Sequence, residues 1–531
     1  MTLPPGLGGE YYYQKLCLKS HHYLYQNSYR LFNTQRGDMQ NYFHFIDWTI
    51  LVVYLGSMVG LGAYFSRKES STENFFLGGR NMPWWAVGIS IFATQLSAIT
   101  YIAIPGRAFE TDWSWAVFNM GAPIVGLIVI LFFLPAYRAR RITSVYEFLE
   151  ARFSPSIRAY GALTFVIMQM GRIAIVLYLP ALVLYEVTGL PVEWMIMVMG
   201  ILVTFYTVLG GIEVVIWTDV VQTVILISGA VLALILICMQ VDGGIAEVIS
   251  IGAQNGKFQL AHFDPAVSKD ILWFLLIGAI FTNLVPYASD QTLVQRYFTT
   301  STEKDARRCL WLSVWIVIPS TILFFFVGTS LYAFYFVHPE LLKEGVEWDR
   351  VFPYFIVRQM PIGVSGLLIA AIFAGAMSSL DSSLNSISTV CVTDFYKRFI
   401  NQQRNDHFYL SLARWITVIM GAVGTVIAIW VARRLMGNPD QKGAWDFFIA
   451  IQGILGGGLA GIFCVGVFTH KANWIGVVGG VIISAIVLIF VKYNLEWHSQ
   501  TYAATGILVA FAASYIISRA IPLKQMPLSD Q

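Results

Sequence analysis

Repeated runs of apolar residues, each close to the length that crosses a lipid bilayer, limit what this chain can fold into. A spanning helix needs about 20 mainly apolar residues. About thirteen such runs can be marked: 45–66, 83–105, 114–136, 158–187, 191–210, 218–239, 272–290, 309–336, 362–393, 409–433, 446–468, 473–491 and 502–520. Composition agrees. Of 531 residues, 57% are hydrophobic and 12% charged, against about 25% charged in an ordinary soluble domain. The mean hydropathy is +0.64. The expectation is an all-α polytopic membrane protein whose first partner is the lipid bilayer.

The net charge of +3 is too small and dispersed to suggest a nucleic-acid partner. The five cysteines are scattered and form no CxxC. The eight histidines map to loops, tails or segment ends, and no HExxH, GxSxG or P-loop occurs. An enzyme is therefore not expected. Residues 1–38 lack the apolar core of a signal peptide and read as a disordered tail or a gene-model extension, with Met39 as the natural start.

The loops alternate in charge. Arg67, Lys68 and Arg80 follow the first run, and Arg138, Arg140, Arg141, Arg152 and Arg158 the third. Arg296, Lys304, Arg307 and Arg308 follow the seventh, and Lys397, Arg398 and Arg404 the ninth. Positive loops stay cytoplasmic, which puts the N-terminus outside and the C-terminus inside. Arg433, Arg434 and Lys442 break the pattern and read as snorkelling at a helix end.

Two runs look interrupted. The run 83–105 carries Thr94, Gln95, Ser97 and Thr100 and ends at a proline; the run 272–290 carries Asn283 and Pro286, where a break is expected. They stand five places apart in the order. Broken helices at matching positions of two halves point to an inverted-repeat transporter. The expected organisation is 39–82 as an extra helix and cytoplasmic loop, 83–240 as a first five-helix repeat and 241–271 as an external loop. A second, inverted repeat would follow over 272–470, with two helices and a short tail over 471–531. GILGGGLAG in the eleventh run offers a small-residue face for close packing.

The ninth run holds FAGAMSSLDSSLNS, Phe373 to Ser386. At helical spacing Ser378, Asp381, Ser382, Asn385 and Thr389 share a face, flanked by Ser379 and Ser383. A carboxylate at membrane depth is expensive and must face protein or water. The stripe reads as helix packing with hydroxyls bonded to the preceding turn, or as a site for an alkali cation, which takes oxygen ligands of these kinds. Ala93 and Leu96, at the interruption of the run 83–105, could add carbonyls. Asp219 reads as a charge favoured by a helix N-terminus or as a second cation ligand. Arg172, near the middle of the fourth run, reads as half of an ion pair with Asp219 or as a clamp on a solute carboxylate.

Several stretches, in order, carry a resemblance: ENFFLGGRNMPWWAVGISIFATQLSAITYIAIP, ITSVYEFLEARF, GGIEVVIWTDVVQ, DQTLVQRY and SSLDSSLNS. They resemble the sodium:solute symporter family, with the bacterial sialic acid symporter subgroup as the nearest pattern. The resemblance implies a LeuT-type 5+5 inverted repeat in a plasma membrane of bacterial inner-membrane type. It implies sodium-driven import of a small solute, sodium as coupling ion and no organic cofactor. It places a first sodium site on the carbonyls of Ala93, Leu96 and Gly375 and the hydroxyls of Ser378 and Ser379. A second site falls on Asp219, Ser378, Asp381 and Ser382, although the subgroup has serine where this chain has Asp381. Ser97, Thr100 and Arg172 match positions that hold the solute carboxylate, and Asn283 in the run 272–290 is a further candidate solute residue. Gln95 replaces a threonine, Ala98 a serine and Asn119 a glutamine, so a related sugar acid, a neutral sugar or polyol, or a monocarboxylate fits as well as sialic acid. Readings of another class are a proton-coupled transporter working through Asp219 and Asp381, and a transporter-like solute sensor. Only the short stretch 521–531 follows the last run, with no signalling domain.

Overall fold

The computed structural model describes residues 43–66, 71–260, 272–436, 452–495 and 501–522. The expectations for residues 1–38, and for the start of the eleventh run, lie outside them.

The helices are α1 (Phe45–Ser66), α2 (Thr72–Leu77), α3 (Trp84–Gln95), α4 (Ala98–Glu110), α5 (Ala116–Arg138), α6 (Tyr146–Arg152), α7 (Pro155–Thr188), α8 (Val192–Met239) and α9 (Gly244–Gln254). There follow α10 (Leu272–Ser289), α11 (Gln291–Phe298), α12 (Glu303–Val337), α13 (Val351–Gln359), α14 (Val364–Val390), α15 (Asp406–Met436), α16 (Gly457–Phe468), α17 (Trp474–Asn494) and α18 (Thr501–Ala520). Among the described residues nine helices are long and apolar enough to span, or ten if α3 and α4, bent by 58°, form one span. Helix starts follow local chemistry: Ser71, Ser154, Thr302 and Asn473 each accept a backbone amide three residues on.

The expected fifth and sixth runs lie in α8, whose 48 residues are too long for one crossing. Gly211 interrupts it with φ 54° and ψ −149°. That conformation is essentially restricted to glycine, and an added Cβ would meet the Phe75 carbonyl oxygen at 2.5 Å. Gly211→Ala is therefore expected to destabilise the protein by about 1–3 kcal/mol from backbone strain alone, read as a lower melting temperature in detergent; an unchanged melting temperature would contradict this turn.

Two halves follow the same order. A broken helix (α3–α4) precedes α5, α7 and the two parts of α8; a second (α10–α11) precedes α12, α14, α15 and the span ending in α16. The second break is not at Pro286, as expected, but after Ser289, because α10 continues through the proline. Carbonyls freed at that break find distant donors: Tyr297 Oη to Tyr287 at 3.1 Å, Tyr137 Oη to Ala288 at 2.5 Å and Tyr146 Oη to Ser289 at 3.1 Å. Asp290 caps α11 through the Thr292 amide at 2.8 Å.

Helix α14 is the axis of the bundle. Every residue from Leu368 to Val390 is buried, so its apolar face meets protein as its polar face does. Lipid-facing helices instead expose residues such as Val52, Ile201, Val224 and Ile486. The small-residue face expected in the eleventh run packs against α18: a Cβ on Gly461 would lie 2.6 Å from that of Ala510, and one on Gly457 3.2 Å from the Cα of Gly506. Within the segment expected as an external loop, α9 turns Val248 and Ile251 inward.

The basic loops converge at one end. Arg80 donates to the carbonyls of Arg141 and Ile142. Arg138 reaches Tyr297, Thr300 and Ser301. Arg158 pairs with Asp394 at 2.6 Å and Glu150 at 2.8 Å, and Glu150 also with Arg398 at 2.6 Å. Burial by itself would raise the Glu150 carboxyl; Arg398 and Arg158 together hold it below its ordinary value.

Candidate functional site

The α3–α4 break builds the first part of the site. The Leu96 amide closes the last turn of α3 on Phe92 at 2.9 Å, and helical bonding resumes with Tyr101 on Ser97 at 3.1 Å. Leu96 (ψ 86°) and Ser97 (ψ 169°) are not helical. The carbonyls ending α3 thus point beyond the helix, where its dipole is negative. That of Thr94 accepts from Arg172 Nη2 at 2.5 Å and from Ser379 Oγ at 3.5 Å. Beside it, Ala93, Leu96, Gly375, Ser378 and Gln222 line a narrow crevice with no room for a water molecule. Gly375 lets α14 approach: a Cβ there would lie 2.9 Å from the Ala98 amide nitrogen. Four of the five residues expected at a first sodium site share this cavity, and Ser379 faces the adjacent carbonyl. Backbone carbonyls at a broken helix together with hydroxyls are an oxygen set suited to sodium.

One turn deeper lies a charged cluster. Asp219 accepts from Ser378 Oγ and Ser90 Oγ, each at 2.5 Å, and pairs with Arg296 Nη2 at 3.0 Å. Arg296 also donates to Ser90 Oγ at 2.7 Å and Ser382 Oγ at 2.6 Å, and to the Thr292 carbonyl. Thr94 Oγ1 lies 3.2 Å from Ser382 Oγ. Asp381 accepts from Tyr206 Oη at 2.8 Å, Ser382 Oγ at 3.3 Å and Thr218 Oγ1 at 3.4 Å. Both carboxylates are fully buried.

This geometry corrects three expectations. Asp219 is not a charge on a helix N-terminal turn; it lies about two turns beyond Gly211, in the core. Its guanidinium partner is Arg296, not Arg172. Arg296 is not a loop charge but lies on α11, fully buried. The residues expected at a second cation site do converge, with Arg296 among them.

A third cluster joins the two breaks. Gln169 Nε2 donates to Asp290 Oδ2 and Ser383 Oγ donates to Gln169 Oε1, both at 2.8 Å. Gln95, Ser97 and Thr100 stay at the first break, Ser97 being 8% exposed. The other two expected solute residues bond elsewhere: Asn119 to Thr321 Oγ1 at 3.0 Å, Asn283 to the Ala279 carbonyl of its own helix at 2.9 Å. Sequence reasoning missed Ser90, Gln169, Tyr206, Asp290 and Arg296. Gln169 and Arg172 share a helix face at i, i+3, which was a usable signal.

Two broken helices in matching halves, with carbonyls, hydroxyls and buried charges gathered between them, define a multi-pass membrane transporter. The chain belongs to the sodium:solute symporter family, whose profile matches residues 75–484; sodium is the coupling ion of that family. It is 36% identical over 490 residues to the sodium/sialic acid symporter SiaT of Proteus mirabilis, covering 92% of this chain and 98% of that protein. It is 30% identical over 452 residues to the human sodium-coupled monocarboxylate transporter 2, covering 82% and 70%. Among solved structures, a substrate-bound outward-open Na+-coupled sialic acid symporter superposes with a TM-score of 0.85 at 35% identity, covering 91% of this chain and 100% of that one. Mhp1, a nucleobase-cation-symport-1 family transporter, shares the fold with a TM-score of 0.53 at 14% identity, covering 86% and 97%.

Proposed function

We propose that this protein imports a sugar acid of the sialic acid type together with sodium, by alternating access of the cavity between α3, α14 and α8. The supporting observation is the sharing of one carbonyl: Thr94 binds both Arg172, the candidate clamp for a carboxylate, and Ser379, a candidate sodium ligand. Sodium held by the carbonyls of Ala93, Leu96 and Gly375 and the hydroxyls of Ser378 and Ser379 would fix the α3–α4 break, and with it Gln95, Ser97 and Thr100. Each ligand then raises the affinity for the other by the same factor. A membrane potential near 100 mV adds about 2.3 kcal/mol per sodium moved inward. Loss of sodium to the cytoplasm frees α3 from α14 and releases the solute. The end where the basic loops meet is the cytoplasmic one, with the N-terminus outside and the C-terminus inside. Asp219, Ser378, Asp381 and Ser382 would take a second sodium only after Arg296 leaves its place between Asp219 and Ser382.

Uptake into proteoliposomes tests this reading with sialic acids, neutral sugars, polyols and monocarboxylates, with and without a sodium gradient. The expected result is accumulation of a carboxylated sugar that requires the gradient; accumulation driven by a pH step alone would exclude sodium coupling, and monocarboxylates as the preferred solutes would exclude the sugar acid. In the same assay Ser379→Ala is expected to raise the half-saturating sodium concentration about tenfold, the worth of one good ligand. An unchanged sodium dependence would remove Ser379 from the site.

A further inference from the structure

We propose that the side-chain amide of Gln222 supplies an oxygen ligand to the cation in the α3–α14 cavity, tying α8 into the ion site. This rests on the reading of that cavity as a sodium site. Gln222 lines the cavity with Ala93, Leu96, Gly375 and Ser378 and is 1% exposed. Its Oε1 is buried and has no hydrogen-bond partner among the described residues. Its Nε2 faces Met58 Sδ at 3.7 Å, and a thioether is a weak acceptor. Nearby donors are committed elsewhere. The Tyr54 hydroxyl lies beside the Gln222 amide and reaches Met377 Sδ at 3.6 Å, but no hydrogen bond from it meets Oε1. Thr223 Oγ1 bonds the Asp219 carbonyl at 2.7 Å.

A buried carbonyl with no donor is costly to keep, and an apolar side chain of similar size would fill this place without that penalty. A cation in the cavity satisfies the oxygen, and side-chain amide carbonyls belong to the ligand class of hard cations. The other oxygens expected there come from the end of α3 and from α14. Gln222 adds a third element: it stands one turn beyond Asp219 on α8, so one helix face serves both the ion cavity and the charged cluster. An ion bound there would hold three helices together, and its departure would free α8 along with the other two.

Sodium-dependent thermal stabilisation of the purified full chain in detergent tests this without transport. Gln222→Leu is expected to raise the half-saturating sodium concentration about tenfold while the melting point without sodium stays level or rises, because the unmet carbonyl is gone. Gln222→Glu keeps an oxygen and adds charge, and should lower half-saturation at least about threefold; it decides the matter if the leucine variant does not fold. Wild-type half-saturation in either folded variant overturns the assignment. Ser379→Ala run alongside separates the failures. If it weakens sodium while the Gln222 variants do not, only Gln222 is excluded; if sodium is unaffected in all three, the reading of the cavity fails too.

Discussion

Arg296→Gln is expected to lower the stability of the protein by about 3–5 kcal/mol, the usual result of removing one partner from a buried ion pair. The guanidinium is fully buried and every direction of its fork is engaged: Ser90 through Nε, the Thr292 carbonyl through Nη1, Ser382 and Asp219 through Nη2. Without it the Asp219 carboxylate keeps, among the described residues, the hydroxyls of Ser90 and Ser378. A second carboxylate, Asp381, shares Ser382 with the cluster and forms no ion pair among the described residues. The loss therefore leaves the Asp219 carboxylate buried without its ion-pair partner. Arg296→Lys should not restore the wild type, because an ammonium cannot span four acceptors in one plane. Pairing Arg296→Gln with Asp219→Asn removes the uncompensated charge and should recover more than half of the loss. Denaturant unfolding in detergent measures all three. A stable Arg296→Gln single variant would show that the guanidinium is not what neutralises Asp219.

The first span could be read directly because bilayer thickness sets its length: 45–66 was expected and Phe45–Ser66 observed. The polar stripe of Ser378, Asp381 and Ser382 was equally plain, since polar groups at helical spacing inside an apolar run have few uses. What stayed hidden depends on residues far apart in the chain. Pro286 attracts attention as a helix breaker, yet the break falls after Ser289, where Tyr137, Tyr146 and Tyr297 supply hydroxyls to the freed carbonyls. Arg296 follows an apolar run, and a count of loop charges places it in solvent; only the folding of α11 into the core turns it towards Asp219. Asp219 and Arg172 are both charges inside apolar runs, so pairing them is a natural guess. Each has instead found a partner that no spacing rule connects: the fork of Arg296 for one, the carbonyl of Thr94 for the other.

For Arg172→Ala, uptake of a carboxylated solute is expected to fall at least about a hundredfold, the loss corresponding to charge-assisted hydrogen bonds worth about 3 kcal/mol. Arg172 is 7% exposed on α7, with one terminal nitrogen on the Thr94 carbonyl at the α3–α4 break. The side chain is thus placed where a solute carboxylate lying against the break would complete the fork. A purely structural arginine would give a different pattern. If Arg172 served only to hold Thr94, its loss would disturb the adjoining Ala93 and Leu96 carbonyls, and sodium-dependent thermal stabilisation would weaken in parallel with uptake. If it clamps the solute, the sodium midpoint measured without solute should stay within about threefold of wild type while solute stabilisation disappears. Arg172→Lys should rescue poorly, since an ammonium does not offer two parallel donors to a carboxylate. Wild-type uptake in Arg172→Ala would mean that the guanidinium does not touch the solute, and that recognition rests on the polar groups of Gln95, Ser97 and Thr100.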